Sequence, residues 1–154
     1  MTLDYLHLSP GDTPSHAVIN PYRAVLIADE DVSQEWRNEV ASWLVESGCL
    51  YFIAWGVACE AWHDTVDWTV LEAFNFNDIP DDRFVMTTWH DKEPLSEALW
   101  FAGHAASHPD IDLTRTLLVH VARDARRDAI MSLYDESQAM TDAASLAFSP
   151  HLNE

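Results

Sequence analysis

Positive charge is what this sequence lacks most. It has a single lysine, Lys92, and only 8 basic residues against 26 acidic ones, so the formal net charge is −18 over 154 residues. Such a surface repels phosphate backbones and anionic lipid, and it attracts basic surfaces. Direct nucleic-acid binding and membrane binding are therefore not expected. Glycine is scarce as well. Four glycines, with no Gly-x-Gly-x-x-Gly, Walker or Gly-x-Ser-x-Gly pattern, leave no phosphate cradle and no nucleophile elbow. Two cysteines, Cys49 and Cys59, are too few for a disulfide framework and read as reduced thiols. The longest apolar run, Cys49 to Trp55, is far too short to span a bilayer. Residues 1–20 have neither the basic start nor the apolar stretch of a signal peptide. A soluble, cytoplasmic protein without a cofactor is the expectation.

What is present has a focus. From Asn38 to Asp82 there is no Lys or Arg, yet the stretch holds Glu39, Glu46, Glu60, Asp64, Asp67, Glu72, Asp78, Asp81 and Asp82. Seven tryptophans accompany this charge, and Trp55, Trp62 and Trp68 are among the four that fall inside the acid-rich stretch. Tryptophan belongs in cores or at interfaces.

The chain then alternates. Residues 1–20 contain Pro10, Gly11 and Pro14 among polar residues and read as an irregular leader. Residues 21–135 read as one domain. Tyr22–Ala28, Leu50–Ala54, Arg83–Thr88 and Thr114–Val121 are short, apolar and β-branched, as strands buried on both faces are. Between them lie helical patterns. Ser33 is placed to cap a helix carrying Trp36, Val40, Trp43 and Leu44, and Gly48 to end it. Asp64 with Asp67 resembles a capping box, opening a helix with Trp68, Leu71 and Phe74 inward. Leu95, Leu99, Ala102 and Ala106 give a third stripe after Pro94. Asp124 is placed to cap a fourth helix with Ile130, Leu133 and Tyr134 inward. Residues 136–154 form a tail with a short helix around Met140 to Leu146. The fold class is α/β: a three-layer sandwich on a four-stranded, mostly parallel sheet, shortened flavodoxin-like or Rossmann-like, in order 2-1-3-4.

Pro21–Ala28, Glu35–Glu39, Ala54-Trp55-Gly56, Asp67-Trp68 and Ile79–Glu93 resemble an uncharacterised family of small bacterial α/β proteins over roughly residues 21–135. The resemblance implies one domain. It transfers no activity and no site residue.

Two functional readings remain. In open parallel sheets ligands bind beyond the carboxyl ends of the strands. Those ends carry Asp29, Asp31, Trp89, His90 and Asp91, with Glu30, Trp55 and Gly56 beside them. Asp29, Asp31 and Asp91 are oxygen donors of the kind that hold Mg²⁺, and His90 beside a carboxylate is a candidate general base. The plainer alternative is a solvated turn whose acids favour a helix N-terminus. His104 and His108, with Glu97 two turns earlier, have a spacing that can clamp zinc, against the plainer reading of a histidine-rich helix end. His63 reads as a capping or surface residue, and Cys59 lacks the cationic setting of a reactive thiol.

The reading favoured here is a binding protein. Glu60, Trp62, Asp64, Asp67 and Asp78 form its candidate surface: an aromatic anchor, Trp62, among carboxylates, facing a basic protein. Small acidic proteins without catalytic motifs include immunity proteins and phage-encoded inhibitors. This reading has no catalytic residue. Its alternative is a small enzyme or ligand-binding domain using the strand-end cleft.

Overall fold

In a computed structural model, residues 2–15 and 21–140 are described in full and residues 151–153 by their backbone pairing. The elements run β1 (Thr2–Leu8), β2 (Tyr22–Ala28), α1 (Gln34–Glu46), β3 (Cys49–Gly56), α2 (Cys59–Ala73), β4 (Met86–His90), α3 (Leu95–His104), β5 (Arg115–Val121), α4 (Arg127–Gln138) and β6 (His151–Asn153). A short 3₁₀ turn, Asp81–Arg83, precedes β4. The sheet order is β1-β5-β2-β3-β4-β6. The first five in that row are mutually parallel, and β6 pairs antiparallel with β4.

Three expectations are corrected here. The parallel sheet has five strands rather than four, because Thr2–Leu8, expected to be irregular, pairs along its whole length with β5. Its residues mix Leu3, Tyr5, Leu6 and Leu8 with Asp4 and His7, and only Leu8 is buried, as suits an edge strand; the prolines that suggested a leader lie beyond it. The four expected strands lie in the order fourth, first, second, third, not 2-1-3-4. The third strand starts three residues later than Arg83, because Asp81–Arg83 is taken up by the 3₁₀ turn. Of the tail, Gln138 closes α4, and most of the short helix expected around Met140 to Leu146 lies outside the described residues.

Every residue of β2 is buried, as expected for a central parallel strand covered on both faces. Its one charged residue is Arg23. The guanidinium donates through Nε (2.9 Å) and Nη2 (2.6 Å) to the Ala106 carbonyl, just past α3, and through Nη1 to Thr116 Oγ1 at 2.9 Å. Desolvation lowers its pKa, opposed by Tyr134, Tyr51 and Asp112 nearby.

Helices cover both faces. Alternation along β4 separates them: Thr87 and Trp89 meet Asp67 and His63 of α2, whereas His90 meets Phe101 of α3. Helix α1 packs with α2, and α3 with α4. Ser33 caps α1 by accepting from the Trp36 N–H at 3.1 Å, and Gly48 follows the helix with φ 102°. The connections β2-α1-β3 and β3-α2-β4 step one way along the sheet. The connection β4-α3-β5 crosses back to the far side of β2. The direction of winding therefore reverses between β2 and β5, where a crevice opens at the strand ends.

Candidate functional site

At that reversal the chain builds a hydrogen-bonded network from four distant segments. Asp29 follows β2, and its N–H donates to the Val121 carbonyl at 2.9 Å, fixing it against the end of β5. Asp29 Oδ2 lies 2.6 Å from His120 Nε2 and accepts from Arg126 Nη2 at 2.8 Å. His120 Nδ1 is 2.7 Å from the Tyr5 hydroxyl, which itself accepts from the Arg126 backbone N–H at 3.0 Å. When Nε2–H donates to the carboxylate and Nδ1 carries no proton, the Tyr5 O–H donates to Nδ1. The His120 ring is fully buried. His7, on the same face of β1, bonds the Ala122 carbonyl through Nε2 at 2.7 Å.

Tyr5, His120 and Arg126 were not among the residues singled out from the sequence. A weak signal for His120 was there: one histidine inside the apolar run Leu117–Val121. Nothing local tied it to a tyrosine 115 positions earlier. That pairing exists because β1 docks on β5 in a register that sets His7 opposite His120.

The expected strand-end cleft forms in part. Asp29, His90 and Asp91 line one hollow of about 380 Å³ together with Trp55, Gly56 and Glu93. Position 56 has to be glycine: a Cβ there would run into the Ala28 carbonyl oxygen, and φ is 100°. Two expected residues are elsewhere. Asp31 is turned outward, its side chain 78% exposed and 3.8 Å from Arg37 Nη1. Trp89 lies on the opposite face of β4, with its ring against His63 at 4.4 Å. The alternation of a strand puts neighbours 89 and 90 on different faces. His90 is itself buried, with Nε2 2.9 Å from Thr88 Oγ1. Asp29, Asp31 and Asp91 thus do not assemble a Mg²⁺ site, and among the described residues no group of three His, Cys, Asp or Glu side chains is placed to hold a metal ion.

The other histidine pair separates too. Helix α3 ends at His104, whose ring stacks on Trp100. His108 lies past the helix, where Nδ1 accepts from the Asp110 and Ile111 N–H groups and Nε2–H donates to the Phe84 carbonyl at 2.8 Å. Both ring nitrogens are committed to backbone. Burial raises the Cys59 thiol and pushes Cys49 up to about 12, so neither is a thiolate at neutral pH.

The acid-rich surface is centred on α2, but not around the expected anchor. Helix α2 starts at Cys59 rather than at Asp64, after Ala58 in a left-handed conformation. Cys59, Trp62, His63, Val66 and Val70 face inward at helical spacing. Trp62 is therefore 0% exposed and meets the Trp36 ring edge-on at 6.1 Å. The reverse correction applies to Trp68, expected in the core and 57% exposed. Glu60, Asp64, Trp68 and Glu72 succeed one another at i+4 and are all exposed, which makes them a single stripe along the outer face. Phe76, 58% exposed, reaches Trp68 edge-to-face at 5.3 Å. It does so from a turn in which Asn75 and Phe76 both have left-handed φ, 52° and 59°. That conformation costs an aromatic residue about 1–2 kcal/mol, and strain of this kind gathers at functional surfaces. The Phe76 N–H to Leu71 carbonyl bond of 2.9 Å holds it.

Asp78 is exposed in the turn beyond the helix. Asp67 is not a rim residue. It faces β4, accepts from Thr87 Oγ1 at 2.8 Å, and lies 3.5 Å from His63 Nε2. Burial raises its pKa, opposed by the Thr87 hydrogen bond and by His63. His63 is buried rather than on the surface, bonded through Nδ1 to Asp64 at 2.9 Å.

A family model described as a domain of unknown function (DUF7684) matches residues 3–137, most of the chain, and the chain belongs to that family. The match begins within β1 and ends within α4. No curated protein and no solved structure matches the chain.

Proposed function

We propose that this member of the family is a protein-binding module whose α2 face engages a basic protein surface, in the manner of an immunity protein or inhibitor. One observation carries the reading: an exposed aromatic pair, Trp68 and Phe76, set among Glu60, Asp64 and Glu72 in a stretch with no lysine or arginine from 38 to 82. Exposed tryptophan is the commonest interface anchor, and a ring of like charge steers an oppositely charged partner toward it. The pair replaces Trp62 as the anchor, and Glu60, Asp64 and Asp78 remain as rim. Neither thiol has a reactive form, and no helix among the described residues is long and apolar enough to cross a membrane. We place the protein in the cytoplasm on this reading.

The test uses three baits in parallel: the wild-type chain, Trp68→Ala, and Asp64→Lys with Glu72→Lys. A true partner is a basic protein retained by the first and lost by both variants. Its association should slow at least about tenfold between low and moderate salt. Trp68→Ala should speed dissociation by roughly 30-fold or more, the weight of an aromatic hot spot. A retained protein whose kinetics ignore salt and both variants would refute the reading.

A second reading has support from the network at Asp29. We read the architecture as a shortened flavodoxin- or Rossmann-type sheet, and in such sheets the winding reversal is where small ligands sit.

A further inference from the structure

The reversal point offers more than a crevice. Asp29 lines the 380 Å³ hollow on the β3 side and also a second one, of about 320 Å³, on the β5 side. The two hollows differ in chemistry. The β5 side presents carboxylates and guanidiniums in pairs: Asp29 with Arg126 at 2.8 Å, and Glu30 with Arg123 at 3.7 Å. Acceptors and donors alternate there with little net charge. A free phosphate would meet Asp29, Glu30 and Asp124, and a bare cation would meet the two arginines. Hydroxyl groups, which both donate and accept, suit such a wall. The β3 side presents an indole. Trp55 is pinned by its Nε1–H to the Glu93 carbonyl at 2.8 Å, beside Val57, which is 42% exposed, and the bare backbone of Gly56. A flat aromatic ring fits against such a surface.

The group between the hollows is held unusually firmly. Both donors to Asp29, the buried His120 imidazole and the Arg126 guanidinium, engage Oδ2. The acceptor a ligand hydroxyl can take is Oδ1. Tyr5 fixes the imidazole from behind, so Tyr5 and His120 act as positioning residues. Each hollow is within the size range of small-molecule sites.

We propose that this crevice binds a neutral, hydroxyl-rich ligand of the nucleoside class, with the vicinal diol on Asp29 and the base against Trp55. The site lies at the carboxyl ends of the central strands and is independent of the α2 surface.

The test is a ¹H–¹⁵N NMR titration of the intact chain with adenosine and with uridine to about 5 mM, a range that detects millimolar affinity. The expected result is movement of the Trp55 indole N–H together with the Asp29 and Arg126 amides. The analogue 2′,3′-dideoxyadenosine, which lacks the diol, should bind at least about tenfold more weakly, because its loss strands a charged acceptor. Asp29→Asn should weaken adenosine to a similar degree. Tyr5→Phe, which frees the imidazole, should weaken it a few-fold while leaving the spectrum of α2 unchanged. No movement at Trp55 with either nucleoside would overturn the proposal. Equal binding of the dideoxy analogue would do the same, without relying on any variant. So would inorganic phosphate alone producing the same shifts.

Discussion

Trp62 and Trp68 are six residues apart on one helix, and the structure assigns them opposite fates. Trp62 is 0% exposed; truncating a fully buried tryptophan to alanine costs about 3–5 kcal/mol. Its edge-on contact with Trp36 belongs to that loss. Against a total stability of roughly 5–15 kcal/mol, Trp62→Ala should remove about a fifth or more. For a domain of this length that is a fall in melting temperature of about 10–15 °C. Trp62→Phe should behave differently. The indole Nε1 finds no acceptor among the described residues, and a buried unpaired N–H costs about 1–3 kcal/mol. Phenylalanine keeps most of the ring and discards that donor, so its net effect should stay within about 1 kcal/mol of wild type. Trp68→Ala removes a side chain already 57% in water and should cost at most about 1.5 kcal/mol. Urea unfolding of the four proteins, with equal m-values as the check on a common unfolded state, measures all of this. If Trp62→Ala cost no more than Trp68→Ala, the inward placement of Trp62 would be wrong, and with it the assignment of the binding anchor to Trp68. The expected ranking also licenses Trp68→Ala as a binding probe, since its fold survives.

Two further outcomes are expected from the groups around this face and the strand ends. Asp67 is raised by burial, so its ionised form works against the fold, and that cost should fade as pH drops through its folded value. In the window between the ordinary carboxylate value, about 3.9, and the raised one, wild-type stability should therefore contain a component that declines with rising pH. Asp67→Asn, still able to accept from Thr87, should lose that component and be at least as stable at neutral pH, as pH-dependent denaturation would show. Gly56→Ala should cost roughly 3 kcal/mol, because its Cβ meets the Ala28 carbonyl in a left-handed backbone. A chemical melt within 1 kcal/mol of wild type would contradict that geometry.

The chain's own chemistry determined the α/β class and the position of most elements. Tyr22–Ala28 is apolar but for Arg23 and reads as a strand covered on both faces, and Ser33 and Gly48 bracket α1 by cap chemistry that acts within a few residues. Charge was equally legible, since counting Lys and Arg needs no coordinates. What failed were inferences about which face a residue occupies. The start of α2 at Cys59 instead of Asp64 left Trp62 on the inner face and Trp68 on the outer one, because a helix repeats every 3.6 residues and local cues did not fix where it begins. The strand faces of Trp89 and His90 followed the same logic with a period of two. The site network lay further still from local information. Tyr5, Asp29, His120 and Arg126 meet because β1 joins the edge beside β5, and β5 returns across β2. Strand order is set by which sheet edges and helix faces bury the most apolar surface together, a property of the assembled layers that no short stretch of sequence carries.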